Sequence, residues 1–507
     1  MSTAGSWTRS QRRAVADVRH LLSFRALQVR RGRAGTWIVL TFVVLTGAAA
    51  VAPAYLPGAG GAGRAFEMLI LLPTVLAGFL LLAMVSAGIS GGGRELLARE
   101  PAQIHPVSPT TDHLGALLLA PLNIAWLLQA WTLLGVTAYG LGPRSLVQAQ
   151  VVLLLFLAAA TAIAQMLAWT LEAVRRLPHG IVAVRALMAA LLGSALGLQM
   201  AGALVPLFDR IPTRWVVVGM VGGWSWEWAV TVLLVLGVLI VATALGALPA
   251  HLAARRTPRD ELRVETGRHS PRTMPSSALA GLIRTDRASV WRAVSMRRGL
   301  AVLALGPGLV AVVGNLPWSS VTILPGLVAS GGALLYGVNA WCLDARGALW
   351  RESLPVPAGT VFAARGYVLA EFLLAASLLT VALAATRAGV PSAAELTALV
   401  CTLVVVTVQV VGAALRWSAQ RPYAVDLRSS RATPAPPLTM VGYSTRLALT
   451  TTLTGLVFSV AARFPAWEAS LLVAVPFLCW STARLLRTRQ AWVDPVDRAR
   501  VVMAVAA

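Results

Sequence analysis

The sequence of 507 residues contains no lysine, so all 43 of its basic side chains are arginines. A P-loop needs a lysine on the nucleotide phosphates, which excludes a nucleotide site of that kind. If ATP drives this protein, another chain binds it. Cysteine is scarce too: Cys342, Cys401 and Cys479 each lie inside an apolar run. That placement is typical of small buried hydrophobes, and not of a disulfide framework or a CxxC metal site.

Charged residues are also few. They make up 12% of the chain, against about 25% in a soluble domain, while 57% of residues are hydrophobic and the mean hydropathy is +0.73. Apolar runs of about 20 residues, the length of a bilayer-crossing helix, recur along the chain. The sequence therefore predicts an all-α integral membrane protein that is surrounded by membrane lipid.

We predict twelve transmembrane helices in two sets of six. The first set lies at 36–55, 66–90, 114–141, 146–171, 181–207 and 228–250, and the second at 300–315, 320–343, 366–386, 393–415, 440–460 and 469–483. The predicted organisation is a basic amphipathic helix at 1–35, a first half at 36–250, a linker with a second interfacial helix at 251–299, a second half at 300–483 and a tail at 484–507.

The arginines are distributed unevenly over this layout. With twelve spans, 35 arginines fall on the side of the termini and six in the opposite loops. The positive-inside rule then places both termini in the cytoplasm. The net charge of +23 is explained by these cytoplasmic loops, so we expect no nucleic-acid partner. Exclusive use of arginine is typical of a high-GC bacterial genome, which makes the bacterial plasma membrane the expected location.

Three short patterns recur in the two halves. FRALQVRRG at 24–32 matches WRAVSMRRG at 291–299, and HPVSPTT at 105–111 matches LPVPAGT at 354–360. Trp226-Glu227 and Trp467-Glu468 precede the sixth span of each half. Because all three occupy corresponding positions, they indicate a duplicated 6+6 chain.

A charged cytoplasmic loop after the second of six spans, followed by Pro-Val, resembles the ABC-2 type exporter permeases, here with two copies fused in one chain. The resemblance implies that this loop forms a coupling helix that docks on a separate cytoplasmic ABC ATPase. We expect two ATPase copies per fused permease. The ATPase would hold ATP and Mg and hydrolyse the ATP, while this chain would carry no cofactor and no enzymatic activity.

The resemblance assigns the coupling role to ten residues, six from the first loop and four from the second: Arg94, Glu95, Arg99, Glu100, Pro106, Val107, Arg351, Glu352, Pro355 and Val356. Four of them, Arg99, Glu100, Arg351 and Glu352, are expected to be replaceable by alanine without loss of folding, because they are charged residues of cytoplasmic loops. The alternative is that proline and charge simply end a membrane helix at the interface.

The resemblance also implies re-entrant helices between spans 5 and 6. The connection 208–227 has a suitable length and aromatic content, whereas its counterpart at 461–468 is much shorter. The expected outer-gate residues are the two repeated pairs, Trp226, Glu227, Trp467 and Glu468.

The resemblance implies that the second and fifth spans of each half line the substrate path. The candidates on spans 5, 8 and 11 are Ser194, Gln199, Gly332, Tyr336, Asn339, Thr452 and Ser459. Glu371 of span 9 and Asn123, at the corresponding depth of span 3, complete the set, since a carboxylate inside a span is a candidate functional residue. Helix packing is the alternative for the small and hydroxyl residues, and pairing with an interfacial arginine is the alternative for Glu371. The six histidines are scattered, so we expect no metal site.

The sequence thus predicts the membrane subunit of an ATP-driven exporter of an amphipathic or hydrophobic substrate, such as a drug, an antibiotic, a peptide or a lipid. The alternative is an ion-coupled secondary transporter with 6+6 spans. A membrane enzyme or an anchor for signalling partners forms a third class.

We expect the purified chain by itself to bind no ATP, because it lacks the P-loop lysine, and to co-purify from its native membrane with an ATPase dimer. Equilibrium binding of a fluorescent ATP analogue to the isolated chain checks the first expectation. Tight binding by the isolated chain would contradict it.

Overall fold

The structure is a computed structural model that describes residues 13–23, 33–90, 107–122, 124–203, 206–207, 210–259, 273, 275–425, 427 and 433–507. Within these ranges the regular structure is helical throughout and contains no strand. The chain divides into two compact units, Met1–Leu262 and Arg263–Ala507. The division falls inside the segment predicted to link two halves.

The first unit is a bundle with its core around one long central helix. Its helices are α1 at 13–23, α2 Arg33–Val51, α3 Arg64–Ser90, α4 Pro109–Leu119, α5 Ile124–Leu141, α6 Leu146–Arg175, α7 Gly180–Met200, α8 Thr213–Val221 and α9 Trp226–Ala254. Leu153 and Leu157 of α6 are fully buried, and their cluster takes in leucines of α3 and α5 and Val235 of α9. Helix α6 is therefore the helix on which the unit is assembled.

The second unit has its core between two long helices, α15 and α16. Its helices are α10 Ala278–Arg292, α11 Val294–Val313, α12 Trp318–Val321, α13 Leu324–Leu335, α14 Gly347–Glu352, α15 Ala358–Ala388, α16 Ala393–Gln420, α17 Pro437–Ala461, α18 Glu468–Val493 and α19 Pro495–Ala506. Leu369 and Leu373 of α15 and Val410 and Leu415 of α16 are fully buried in one cluster. A 3-10 segment, Gly337–Leu343, follows α13.

Among the described residues, nine helices are long and apolar enough to cross a membrane. They coincide with nine of the predicted spans. The span at 114–141 is broken by a 3-10 turn at Ala120–Leu122, and the first span contributes the shorter apolar helix Phe42–Tyr55. Helix α17 covers the span at 440–460, but its threonines and Arg446 lower its hydropathy. By helix length and composition the chain is a membrane protein.

The carboxyl ends of α3, α6 and α9 meet at one end of the first unit. Arg175 donates to the carbonyl of Gly88 in α3 at 2.8 Å, and Arg176 donates to the carbonyl of Ala253 in α9 at 2.6 Å. Both guanidinium groups also pair with Glu172. Helix ends expose carbonyl oxygens with partial negative charge, which arginines stabilise. The carboxyl ends of the helices at spans 2, 4 and 6 therefore lie together.

The corresponding ends also meet in the second unit. The Ser418 hydroxyl, near the end of α16, donates to the carbonyl of Gly337 and accepts from the backbone N–H of Ala340. Trp492, near the end of α18, stacks on Trp341 with ring centroids 3.7 Å apart. The segment Gly337–Leu343, which follows α13, therefore contacts the carboxyl-terminal ends of both α16 and α18.

Several elements differ from their predicted extent. Helix α11 begins at Val294, before the predicted start of its span at 300, and α13 stops at Leu335 because Tyr336 leaves the helical conformation, with φ −149°. The described part of the segment predicted to be re-entrant, 210–227, contains one nine-residue helix, α8, before α9 begins at Trp226. Beyond α18, residues predicted as a tail form α19, which is capped by Asp494 and packs on the unit.

Replacing Arg176 by alanine is expected to destabilise the first unit by about 3 kcal/mol. The loss is at the low end of the range for a broken buried ion pair, because Arg175 still reaches Glu172 at 3.5 Å. The measurement is thermal unfolding of the purified chain. Arg144→Ala, an exposed arginine between α5 and α6, is the control, and equal melting temperatures for the two variants would contradict the capping role.

Candidate functional site

A cluster of two acids and two arginines lies where α10, α14 and α15 meet. Arg365 of α15 contacts Asp286 of α10 at 3.0 Å and Asp344 at 2.8 Å. Arg351 of α14 contacts the same two carboxylates, Asp286 at 2.6 Å and Asp344 at 3.0 Å. The side chains of Arg365 and Asp286 are 0% and 1% exposed. The cluster is a closed set of two positive and two negative charges.

Local sequence explains why these charges point inward. Leu282, Asp286 and Val290 are the buried residues of α10 and follow one another at four-residue spacing, so they share one helix face. Arg365 lies two turns into α15, and it also donates to the carbonyl of Ala340 and approaches the ring of Trp341 to 5.3 Å. Asp286 and Arg365 thus extend from otherwise apolar faces of their helices.

The cluster fixes the inner face of the short helix α14, while the outer face of α14 is exposed. Ala348 is buried and Arg351 points into the cluster, whereas Leu349 is 51% and Trp350 79% exposed. Leu354, just after the helix, is also exposed. A six-residue helix has little stability of its own, so its position depends on these anchors.

Helix α19 supports α14 from a second side. A small crevice there is lined by Ala348, Arg351 and Glu352 of α14 and by Val501 and Val505 of α19. Arg498 of α19 also pairs with Glu352 at 2.9 Å. The carboxyl-terminal helix therefore belongs to the structure that presents α14.

The predicted coupling residues of the second half thus have different environments. Arg351 is 11% exposed and lies in the buried cluster, so the expectation that it is a dispensable surface charge is wrong. Glu352 is a third exposed and pairs with α19. Pro355 is exposed, and Val356 packs against the core of the unit.

The corresponding loop of the first half lies largely outside the described residues, and this applies to Arg94, Glu95, Arg99, Glu100 and Pro106. Val107 is described and is half-buried directly before Ser108, which caps α4 by accepting from the N–H of Thr111. The structure leaves the coupling role of that loop a prediction.

Three candidate path residues of the second unit are packing residues. The Asn339 amide donates to the carbonyls of Tyr423 and Pro434, at 2.8 and 3.0 Å, and so fastens the loop after α16. Tyr336 is buried edge-on against Phe372. A Cβ on Gly332 would lie 2.6 Å from Leu373, so glycine allows α13 to approach α15. These contacts fit the packing alternative.

Glu371 pairs with Arg287 of the interfacial helix α10 at 2.7 Å, which is the alternative considered for it. The hydrogen bond to Glu371 raises the pKa of Arg287. The side chain of Glu371 is 36% exposed.

The remaining path candidates are dispersed. Ser194 is exposed and Gln199 half-buried on α7, Thr452 is half-buried and Ser459 buried on α17, and Asn123 lies outside the described residues. The predicted gate residues begin the last long helix of each unit: Trp226 and Glu227 in α9, and Trp467 and Glu468 at α18. All four are exposed, and their matching positions agree with the proposed duplication.

Sequence reasoning missed Asp286, Asp344 and Arg365 as site residues. A signal existed for two of them. Asp286 stands on the apolar stripe of a basic helix, and Arg365 stands inside an apolar helix, where an unpaired charge would be costly. Nothing in the sequence indicated that these residues, 79 positions apart, would meet.

Comparisons with known proteins give no relative: no family model matches the chain, and no curated protein or solved structure matches it significantly.

Replacing Arg365 by glutamine is expected to destabilise the second unit by about 3–5 kcal/mol, because Asp286 and Asp344 would keep a buried negative charge with one arginine between them. Thermal unfolding of the purified chain is the measurement. Arg387→Gln, an exposed arginine near the other end of α15, is the matched control. Similar melting of both variants would contradict the expected cost of leaving the two carboxylates with one arginine.

Proposed function

We propose that the chain is the membrane subunit of an ATP-driven exporter of the ABC-2 type, and that α14 is the helix on which a separate cytoplasmic ATPase docks. Trp350 carries the proposal: it is 79% exposed on a helix whose opposite face is locked by buried charges. Tryptophan is a frequent centre of binding energy in protein interfaces.

The anchoring of α14 supports this role. A partner gains affinity from a surface that is already held in position, because less conformational freedom is lost on binding. Through Arg351 and Asp286, α14 is joined to α10, and through Asp344 and Arg365 to α15. A displacement of α14 by the ATPase would therefore move an interfacial helix and a membrane span together.

The finer parts of the proposal follow the resemblance. The chain would have twelve spans with both termini in the cytoplasm of a bacterium, and two ATPase subunits would bind ATP and Mg. The substrate would be an amphipathic or hydrophobic compound: a drug, an antibiotic, a peptide or a lipid.

The ion-coupled alternative receives little support from Glu371, the carboxylate considered for it. Its pairing with Arg287 and its 36% exposure suit an interfacial ion pair better than a buried ion-binding group.

Replacing Trp350 by alanine is expected to weaken the association with the ATPase at least tenfold while the chain stays folded, because an interface tryptophan is worth 2 kcal/mol or more and an exposed one contributes little to the fold. Two measurements are made on the complex purified from native membranes. One is vanadate-sensitive ATP hydrolysis, and the other is photolabelling of a second chain by azido-ATP. Trp215→Ala, which is 75% exposed on α8, is the control.

Equal hydrolysis and labelling in the two variants would refute docking at Trp350. Hydrolysis that is absent from the wild-type complex, with no labelled second chain, would refute the exporter proposal as a whole.

A further inference from the structure

An apolar groove runs between α15, α16 and α18 in the second unit, with a cavity volume of about 380 Å³. This is within the range of pockets that bind small molecules. Phe362, Ala370, Val411 and Leu485 are among its apolar walls. Thr407 also lines it, but its hydroxyl already donates to the carbonyl of Leu403 within α16. The interior therefore offers apolar contacts to a ligand.

The charged residue of this lining is Arg489, at one end of the groove. It lies in the last turns of α18, and its guanidinium reaches the first turn of α15, where a Cβ on Gly359 would be 3.1 Å from Nη2. This is the end of the unit at which α16 and α18 finish, the predicted cytoplasmic end. The groove thus has a cationic mouth and an apolar interior.

The length of the groove matches one leaflet. From Gly359, beside Arg489, to Ala370 the helix α15 rises by about 16 Å, at about 1.5 Å per residue. Half of a bilayer core of about 30 Å is similar. An acyl chain that begins at the headgroup level would therefore lie along the whole groove.

Arg489 is available to a ligand at this mouth. Among the described residues, Arg489 takes part in no ion pair or hydrogen bond with the protein, in contrast to Arg351 and Arg365. It is also exposed. A guanidinium that is accessible at the headgroup level attracts an anionic phosphate.

We propose that this groove binds an anionic phospholipid of the cytoplasmic leaflet, with one acyl chain in the groove and the phosphate on Arg489. A zwitterionic lipid could fill the groove with its chain, but its headgroup carries no net charge to complement Arg489. The site therefore combines a chain-binding groove with a preference for negative headgroups, and it is separate from the docking helix α14.

The test uses the full chain purified in a mild detergent, with phosphatidylglycerol or phosphatidylcholine of identical acyl chains added and bound lipids counted by native mass spectrometry. We expect phosphatidylglycerol to be retained about fivefold better, which corresponds to the about 1 kcal/mol of one arginine near a lipid headgroup. Arg489→Gln should abolish the preference. Arg487→Gln should keep it, because this exposed arginine is two residues away on α18 and does not line the groove.

A second pair of variants tests the groove itself. Ala363 and Leu486 line it and are both exposed, so Ala363→Phe and Leu486→Trp should fill it without entering the core. Both should reduce retention of either lipid, while elution and thermal unfolding stay as in the wild type. Equal retention of the two lipids by the wild type, or equal losses in Arg489→Gln and Arg487→Gln, would overturn the proposal. Unchanged lipid retention in both filled variants would overturn it as well.

Discussion

The second unit depends on one buried set of charges, in which Arg365 and Arg351 share Asp286 and Asp344. Burying four charges is costly, and their mutual contacts offset that cost together with the hydrogen bond from Arg365 to the carbonyl of Ala340. The geometry of α10, α14 and α15 is consequently restricted, since moving one element away would leave an unpaired charge in an apolar surrounding. The docking surface proposed for α14 exists because this constraint fixes one face of the helix and leaves Trp350 on the other.

In the two units, different contacts hold together the helix ends that carry the arginines. In the first, Arg175 and Arg176 satisfy carbonyl oxygens at the ends of neighbouring helices and share Glu172. In the second, Arg351 and Arg365 contact side-chain carboxylates, and Trp341, which lies beside Arg365, stacks on Trp492 of α18. If the units arose by duplication, they have kept arginine-rich ends in common while the partners of those arginines have diverged.

The sequence predicted long apolar helices well, because a run of twenty apolar residues can be read without knowing what packs around it. It also offered the pairing of Glu371 with an interfacial arginine as an alternative, and the structure shows that pair. It did not predict where α13 ends, since apolar residues continue through Tyr336. It also did not predict the packing of α19, whose buried residues are only three valines. The contact between Asp286 and Arg365 could not be predicted either, because such a contact is set by tertiary packing and not by a local sequence pattern.

The central claim is that the buried charges hold α14 in place, and hydrogen exchange measured on its peptides tests it most directly. In the wild-type chain, residues 347–354 and 495–506 should both be protected, although so short a helix would exchange freely by itself. In an Asp286→Asn variant both segments should exchange markedly faster, while 213–221 in the first unit stays unchanged. Free exchange of 347–354 in the wild type, or unaltered exchange in the variant, would contradict the claim.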